Sequence, residues 1–209
     1  MICKGITFLF LLVSFSFFAQ QKRSLNKIGL LYSYATEDNF LFNDKDYSYN
    51  AATYKFQLFY ELGNWKSIQF EILLQPQIQY IQHQLLNSYF VLPTEENFEK
   101  KISEFTKTKN INLLGFEVGF NAKRKISNQL FIQSTIGLGV ATISNRTERL
   151  AKGFTFIENA AIGFLYETKY KIGYYLGTTI GHVSNFNTQK PNSGYNQLGI
   201  EIGFTYKLK

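Results

Sequence analysis

Residues 172–184 read Ile172-Gly173-Tyr174-Tyr175-Leu176-Gly177-Thr178-Thr179-Ile180-Gly181-His182-Val183-Ser184. The even positions from Tyr174 to Ser184 carry Tyr, Leu, Thr, Ile, His and Ser. The odd positions from Gly173 to Val183 carry Gly, Tyr, Gly, Thr, Gly and Val, a mostly small set. A period of two is that of a strand, whose successive side chains point to opposite faces. The segment therefore predicts a strand with one greasy face and one narrow face.

The same alternation recurs seven more times. Apolar or aromatic residues hold nearly every second position within 28–34, 54–62, 68–80, 112–120, 130–140, 154–166 and 198–206. Each segment is roughly ten residues long, which a tilted membrane strand needs. The opposite faces are Gly, Ala, Ser, Thr and Gln, with single acids at Glu61, Glu71, Glu117 and Glu201. Pro76 interrupts the third segment and predicts a bulge or kink. Aromatic residues make up 17% of the chain, and the greasy faces take much of this share. A soluble cavity barrel would turn those faces inward and leave the polar ones wet. Large aromatics on one face and small polar residues on the other instead predict an all-β fold, an eight-stranded antiparallel transmembrane β-barrel with a tightly filled polar interior.

The address agrees. Lys4 precedes an apolar run from Ile6 to Phe18 that ends at Ala19. The run is too short to span a bilayer as a helix and reads as a signal peptide, 1–19, leaving 20–209 as one outer-membrane barrel. Cys3, the only cysteine, lies before the run, so neither lipidation nor a disulfide is expected. Removing Lys4 with the leader leaves 21 basic against 15 acidic residues, a net charge of +6.

Connections alternate in length. Gly63-Asn64, 123–128 and 167–169 predict short turns, while 37–52, 85–109, 144–152 and 185–194 predict longer loops. Short periplasmic turns and long external loops are the barrel habit. Within 85–109, Thr94 is positioned to cap a short helix with Phe98, Ile102 and Phe105 on one side, in a loop folded over the barrel mouth.

The polar ends of the last two segments now acquire a location. His182 and Ser184 share the outward face, and Asn196 opens the outward face of the last segment. A hairpin through 185–194 brings the three together at the external end. Polar groups facing hydrocarbon need a reason, catalytic or a place at headgroup level. Spacing alone leaves both open.

The run His182-x-Ser184-Asn185, the turn Pro191-Asn192-x-Gly194 and the polar Asn196 resemble the outer-membrane lipid A 3-O-deacylase family (the PagL type). The resemblance implies a serine esterase on the outside of an eight-stranded barrel, removing the acyl chain ester-linked at position 3 of lipid A. It implies Ser184 as nucleophile, His182 as general base, and Asn185, with a backbone N–H of the following loop, at the oxyanion. The third triad position, a glutamate in the family pattern, falls on Asn196. An amide orients an imidazole but does not offset its positive charge. Phe186 also stands where a small residue is expected.

Glu158 is the one acid breaking an outward apolar face. Counting through a turn at 167–169 sets it opposite Thr178, too deep to replace the missing acid. His83, the other histidine, reads as an inward residue at the mouth. Arg146, Arg149, Lys152 and Lys190 lie in or beside external loops, where lipid A phosphates would meet them. No cluster has metal-ligand spacing, no cofactor is implied, and no groove or recognition helix suggests nucleic acid. The expected partner is lipid A or lipopolysaccharide of the outer leaflet, met by a membrane-embedded chain in the cell outer membrane. The competing expectation is a non-catalytic small barrel with a structural or adhesive role.

Overall fold

The computed structural model describes residues 24–208; the segment read as a signal peptide and Cys3 lie outside them. Eight antiparallel strands close into a barrel in chain order. They are β1 (Leu25–Thr36), β2 (Tyr47–Trp65), β3 (Ile68–Leu85), β4 (Lys109–Lys125), β5 (Leu130–Ile143), β6 (Gly153–Glu167), β7 (Ile172–Ser184) and β8 (Tyr195–Lys207). β1 pairs β8 from Lys27↔Lys207 to Thr36↔Leu198, so no edge is left open.

The faces divide as the alternation predicts. Leu30, Tyr54, Phe116, Leu138, Phe164 and Ile202 are exposed on the outer surface. The interior is polar and packed. At its centre Glu117 accepts from Lys55 Nζ (3.0 Å), Gln75 Nε2 (2.7 Å), Gln77 Nε2 (3.2 Å) and Asn159 Nδ2 (2.6 Å). Below it Glu71 takes Lys27 Nζ (3.2 Å) and Asn121 Nδ2 (2.9 Å). Buried charges persist only when paired and hydrogen-bonded, and here each carboxylate gathers several donors. A Cβ at Gly137 would collide with the Glu117 carboxylate, so the glycine makes room for the cluster. The space left among these side chains is ≈ 20 Å³, on the scale of a single water rather than a channel.

The apolar core sits at the long-loop end. Tyr49 stacks on Tyr195 with ring centroids 4.4 Å apart, and Ile81, Leu113, Leu150 and Val183 close around them. Helix α1 (Phe98–Phe105) lies over this plug and inserts Phe105, with Phe98 and Ile102 packed beside it. The predicted helix is present, but its N-cap is Asn97 in the left-handed region, not Thr94. His83 is fully buried at the mouth, with Nε2 3.0 Å from Glu148 Oε1.

Three local expectations are corrected. Pro76 keeps its register with Phe116 and produces no bulge; its missing N–H removes a donor without shifting the strand. The register shift in this hairpin falls at Glu61/Gly63, where Gly63 has φ 134°. The turn itself lies at Lys66-Ser67, three residues beyond the predicted Gly63-Asn64, because the glycine serves the bulge. The β6–β7 connection is also longer than predicted: it spans 168–171, with the Thr168 N–H on Ile172 O (2.7 Å) and Lys171 at φ 66°.

Candidate active site

The longer β6–β7 turn resets the register around His182. Glu158 stands opposite His182, not opposite Thr178 as counted: the ladder pairs Glu158↔His182 on one side and His182↔Asn196 on the other. One outward row thus crosses three strands as Glu158, His182, Asn196. The next row toward the loops pairs Phe156↔Ser184.

His182 Nδ1 lies 2.8 Å from Asn196 Oδ1. With an amide oxygen as acceptor, Nδ1 carries the proton and the Nε2 lone pair is left for a proton-accepting role. The pair is held from below. Glu37, fully buried at the start of the first external loop, accepts the Asn196 backbone N–H on Oε1 (2.8 Å) and the Tyr47 hydroxyl (3.4 Å). Burial pushes the Glu37 carboxyl up to about 7, against the opposing pull of the Asn196 N–H and Arg149. Sequence reasoning missed Glu37. The signal was the closure itself, since joining β1 to β8 brings the residue after Thr36 beside the start of β8.

Ser184 ends β7 and is 7% exposed. Its carbonyl accepts from Thr155 Oγ1 (2.7 Å), which anchors the strand end to β6. Among the described residues no hydrogen bond joins Ser184 Oγ to His182. Gly194 fills the position beside Ser184 on the β8 side. It has φ 64°, and a Cβ there would strike the Val183 carbonyl oxygen, so only glycine fits.

Asn185 is fully buried and organises the loop after Ser184. Its N–H donates to Asn192 Oδ1 (2.7 Å), and its Nδ2 donates to the carbonyls of Gln189 (3.0 Å) and Pro191 (3.3 Å). Phe186 and Asn187 follow in the left-handed region, with φ 48° and 63°. Their backbone N–H groups donate to no acceptor among the described residues. The loop is stitched to its neighbour by Ala151 N–H on Pro191 O (3.0 Å) and Gly194 N–H on Arg149 O (3.1 Å). Phe186 packs edge-on against Phe156 (4.6 Å), which meets Phe154 (4.8 Å), so an aromatic wall stands beside Ser184 on the outer surface.

Of the four basic residues near the loops, two are engaged internally. Arg146 NH2 bonds Glu104 Oε2 (2.8 Å), and Arg149 lies over the Tyr47 ring (4.1 Å). Lys152 and Lys190 are exposed and enter none of the described ion pairs.

A family model described as lipid A 3-O-deacylase (PagL) matches residues 54–205. The chain belongs to the lipid A 3-O-deacylase family. Membership makes it an ester hydrolase of the outer membrane. The barrel is similar to the crystal structure of the outer membrane enzyme PagL, with a TM-score of 0.53 and 13% identity over 85% of this chain and 97% of that one. It is similar to Neisserial surface protein A (NspA), with a TM-score of 0.53 and 8% identity over 90% of this chain and 100% of that one. At these identities the two structures speak for the fold alone. No curated protein sequence matches the chain.

Proposed function

We propose that the chain removes the 3-O-linked acyl chain of lipid A by a serine-esterase mechanism centred on Ser184. The observation that carries this reading is the outward row at the external end of β6, β7 and β8. In that row His182, whose Nδ1 meets Asn196 Oδ1, stands two residues before Ser184 and on the same outward parity, which supports the reading.

In the proposed reaction Ser184 Oγ attacks the acyl carbonyl while His182 Nε2 takes its proton. The tetrahedral oxyanion forms on the former carbonyl oxygen. Its collapse breaks the ester bond, and His182 returns the proton to the departing sugar 3-oxygen. Water, activated by the same imidazole, then attacks the acyl-serine and releases the fatty acid. Asn196 holds the imidazole in the required tautomer. Asn185 supports the oxyanion site by holding the loop, since its own amide hydrogens are given to Gln189 and Pro191. The backbone N–H groups of Phe186 and Asn187 are the donors assigned to the oxyanion.

The wall of Phe154, Phe156 and Phe186 suits an acyl chain lying along the barrel surface. Lys152 and Lys190 suit the phosphates of the lipid A headgroup. Lipopolysaccharide would therefore reach the site laterally within the outer leaflet. Mass spectrometry of lipid A from membranes with and without the chain tests this: loss of one 3-linked acyl chain supports it, and unchanged lipid A refutes it.

A further inference from the structure

We propose that Glu158 supplies the negative charge that position 196 does not. The proposal rests on the reading of Ser184 and His182 as nucleophile and base. His182 stands between two cross-strand neighbours, Asn196 on β8 and Glu158 on β6. Directly opposed residues on one face have Cβ atoms about 4.5–5.5 Å apart, which brings a glutamate carboxylate within reach of the imidazole.

Among the described residues the acid has no other polar partner. Its outward neighbours on β6 are Phe156 and Ala160, and it enters none of the described hydrogen bonds or ion pairs. A carboxylate on a lipid-facing strand is costly and calls for a partner. The partner the ladder offers is the imidazolium that forms when His182 takes the serine proton. The other nearby carboxylate, Glu37, is already committed: it accepts the Asn196 N–H and the Tyr47 hydroxyl from within the buried loop. The site therefore divides one glutamate's work between two residues. Asn196 orients the ring through Nδ1, and Glu158 offsets its charge from the opposite strand. Glu158 acts through His182 and is a positioning residue, not a catalytic one.

The test is steady-state deacylation of lipid A in vesicles by the wild-type chain, Glu158→Gln, Asn196→Glu, Glu158→Gln with Asn196→Glu, and Ser184→Ala. Folding of each is confirmed by heat-modifiable gel mobility. Glu158→Gln is expected to lower kcat about 10- to 100-fold with KM within about twofold of wild type. The double variant, with its carboxylate moved to the β8 side, is expected to recover to within about threefold of Asn196→Glu alone. A structural role for Glu158 predicts no such rescue. If Glu158→Gln keeps wild-type kcat, changes KM alone, or is not rescued while Ser184→Ala is inactive, the proposal is overturned and the esterase reading stands. If Ser184→Ala is fully active, the esterase reading itself is wrong and the proposal goes with it.

Discussion

His182 Nδ1 and Asn196 Oδ1 meet at 2.8 Å across the last hairpin, so the imidazole is oriented by an amide rather than by an acid. Asn196→Ala removes the orienting acceptor and leaves the ring free to turn. Where an orienting partner fixes the tautomer, its loss costs up to roughly 10⁴-fold in kcat. The expectation here is a fall of about 10²- to 10³-fold with KM little changed, because the role proposed for Asn196 is to hold the imidazole. Initial-rate kinetics on purified lipid A check it.

Gly194 is the hinge on which the loop returns beside Ser184. Gly194→Ala forces a Cβ against the Val183 carbonyl at φ 64°. Strain of this kind costs about 1–3 kcal/mol. The variant is expected to fold as a barrel, to lose most activity, and to expose 185–194 to limited proteolysis.

Glu117 holds the lumen together. Glu117→Ala leaves Lys55 buried without its carboxylate and strips Gln75, Gln77 and Asn159 of their acceptor. Breaking a buried pair from one side costs about 3–5 kcal/mol. Urea unfolding in lipid vesicles should show that loss, while the folded fraction keeps its kcat, because the cluster faces away from the site.

The first external loop carries a pH dependence. Burial raises Glu37 in the folded chain from an ordinary 4.5 to about 7, so the folded state binds the proton more tightly than the unfolded state. Its contribution is fully present below about pH 4.5 and is lost as pH rises through about 7. The shift corresponds to a few kcal/mol at most, on the order of 3. Hydrogen exchange of the Asn196 amide should therefore quicken between pH 5 and 8 beyond its intrinsic rise, and Glu37→Gln should remove that excess.

The barrel was legible because its signal is local. Alternation within each segment decides which residues face lipid, and Glu71, Glu117 and Glu201 all lie inside as their parity requires. The outward placement of His182, Ser184 and Asn196 was legible for the same reason. Relations between strands were legible only where the connection was placed correctly, as at 185–194, which sets Asn196 against His182. Glu158 was misplaced by four residues because register depends on a turn, and Thr168–Lys171 carries no glycine to mark its length. Gly63 invited the opposite error, since a glycine with positive φ suits a bulge as well as a turn. Glu37 was invisible for a third reason: its contact with Asn196 spans 159 residues and exists only because the barrel closes.

The most direct measurement is the mass of lipid A from outer membranes carrying either the wild-type chain or Ser184→Ala. The account predicts that the wild type strips one 3-linked acyl chain and that Ser184→Ala, inserted and folded to the same level, strips none. Equal deacylation by the two would contradict it.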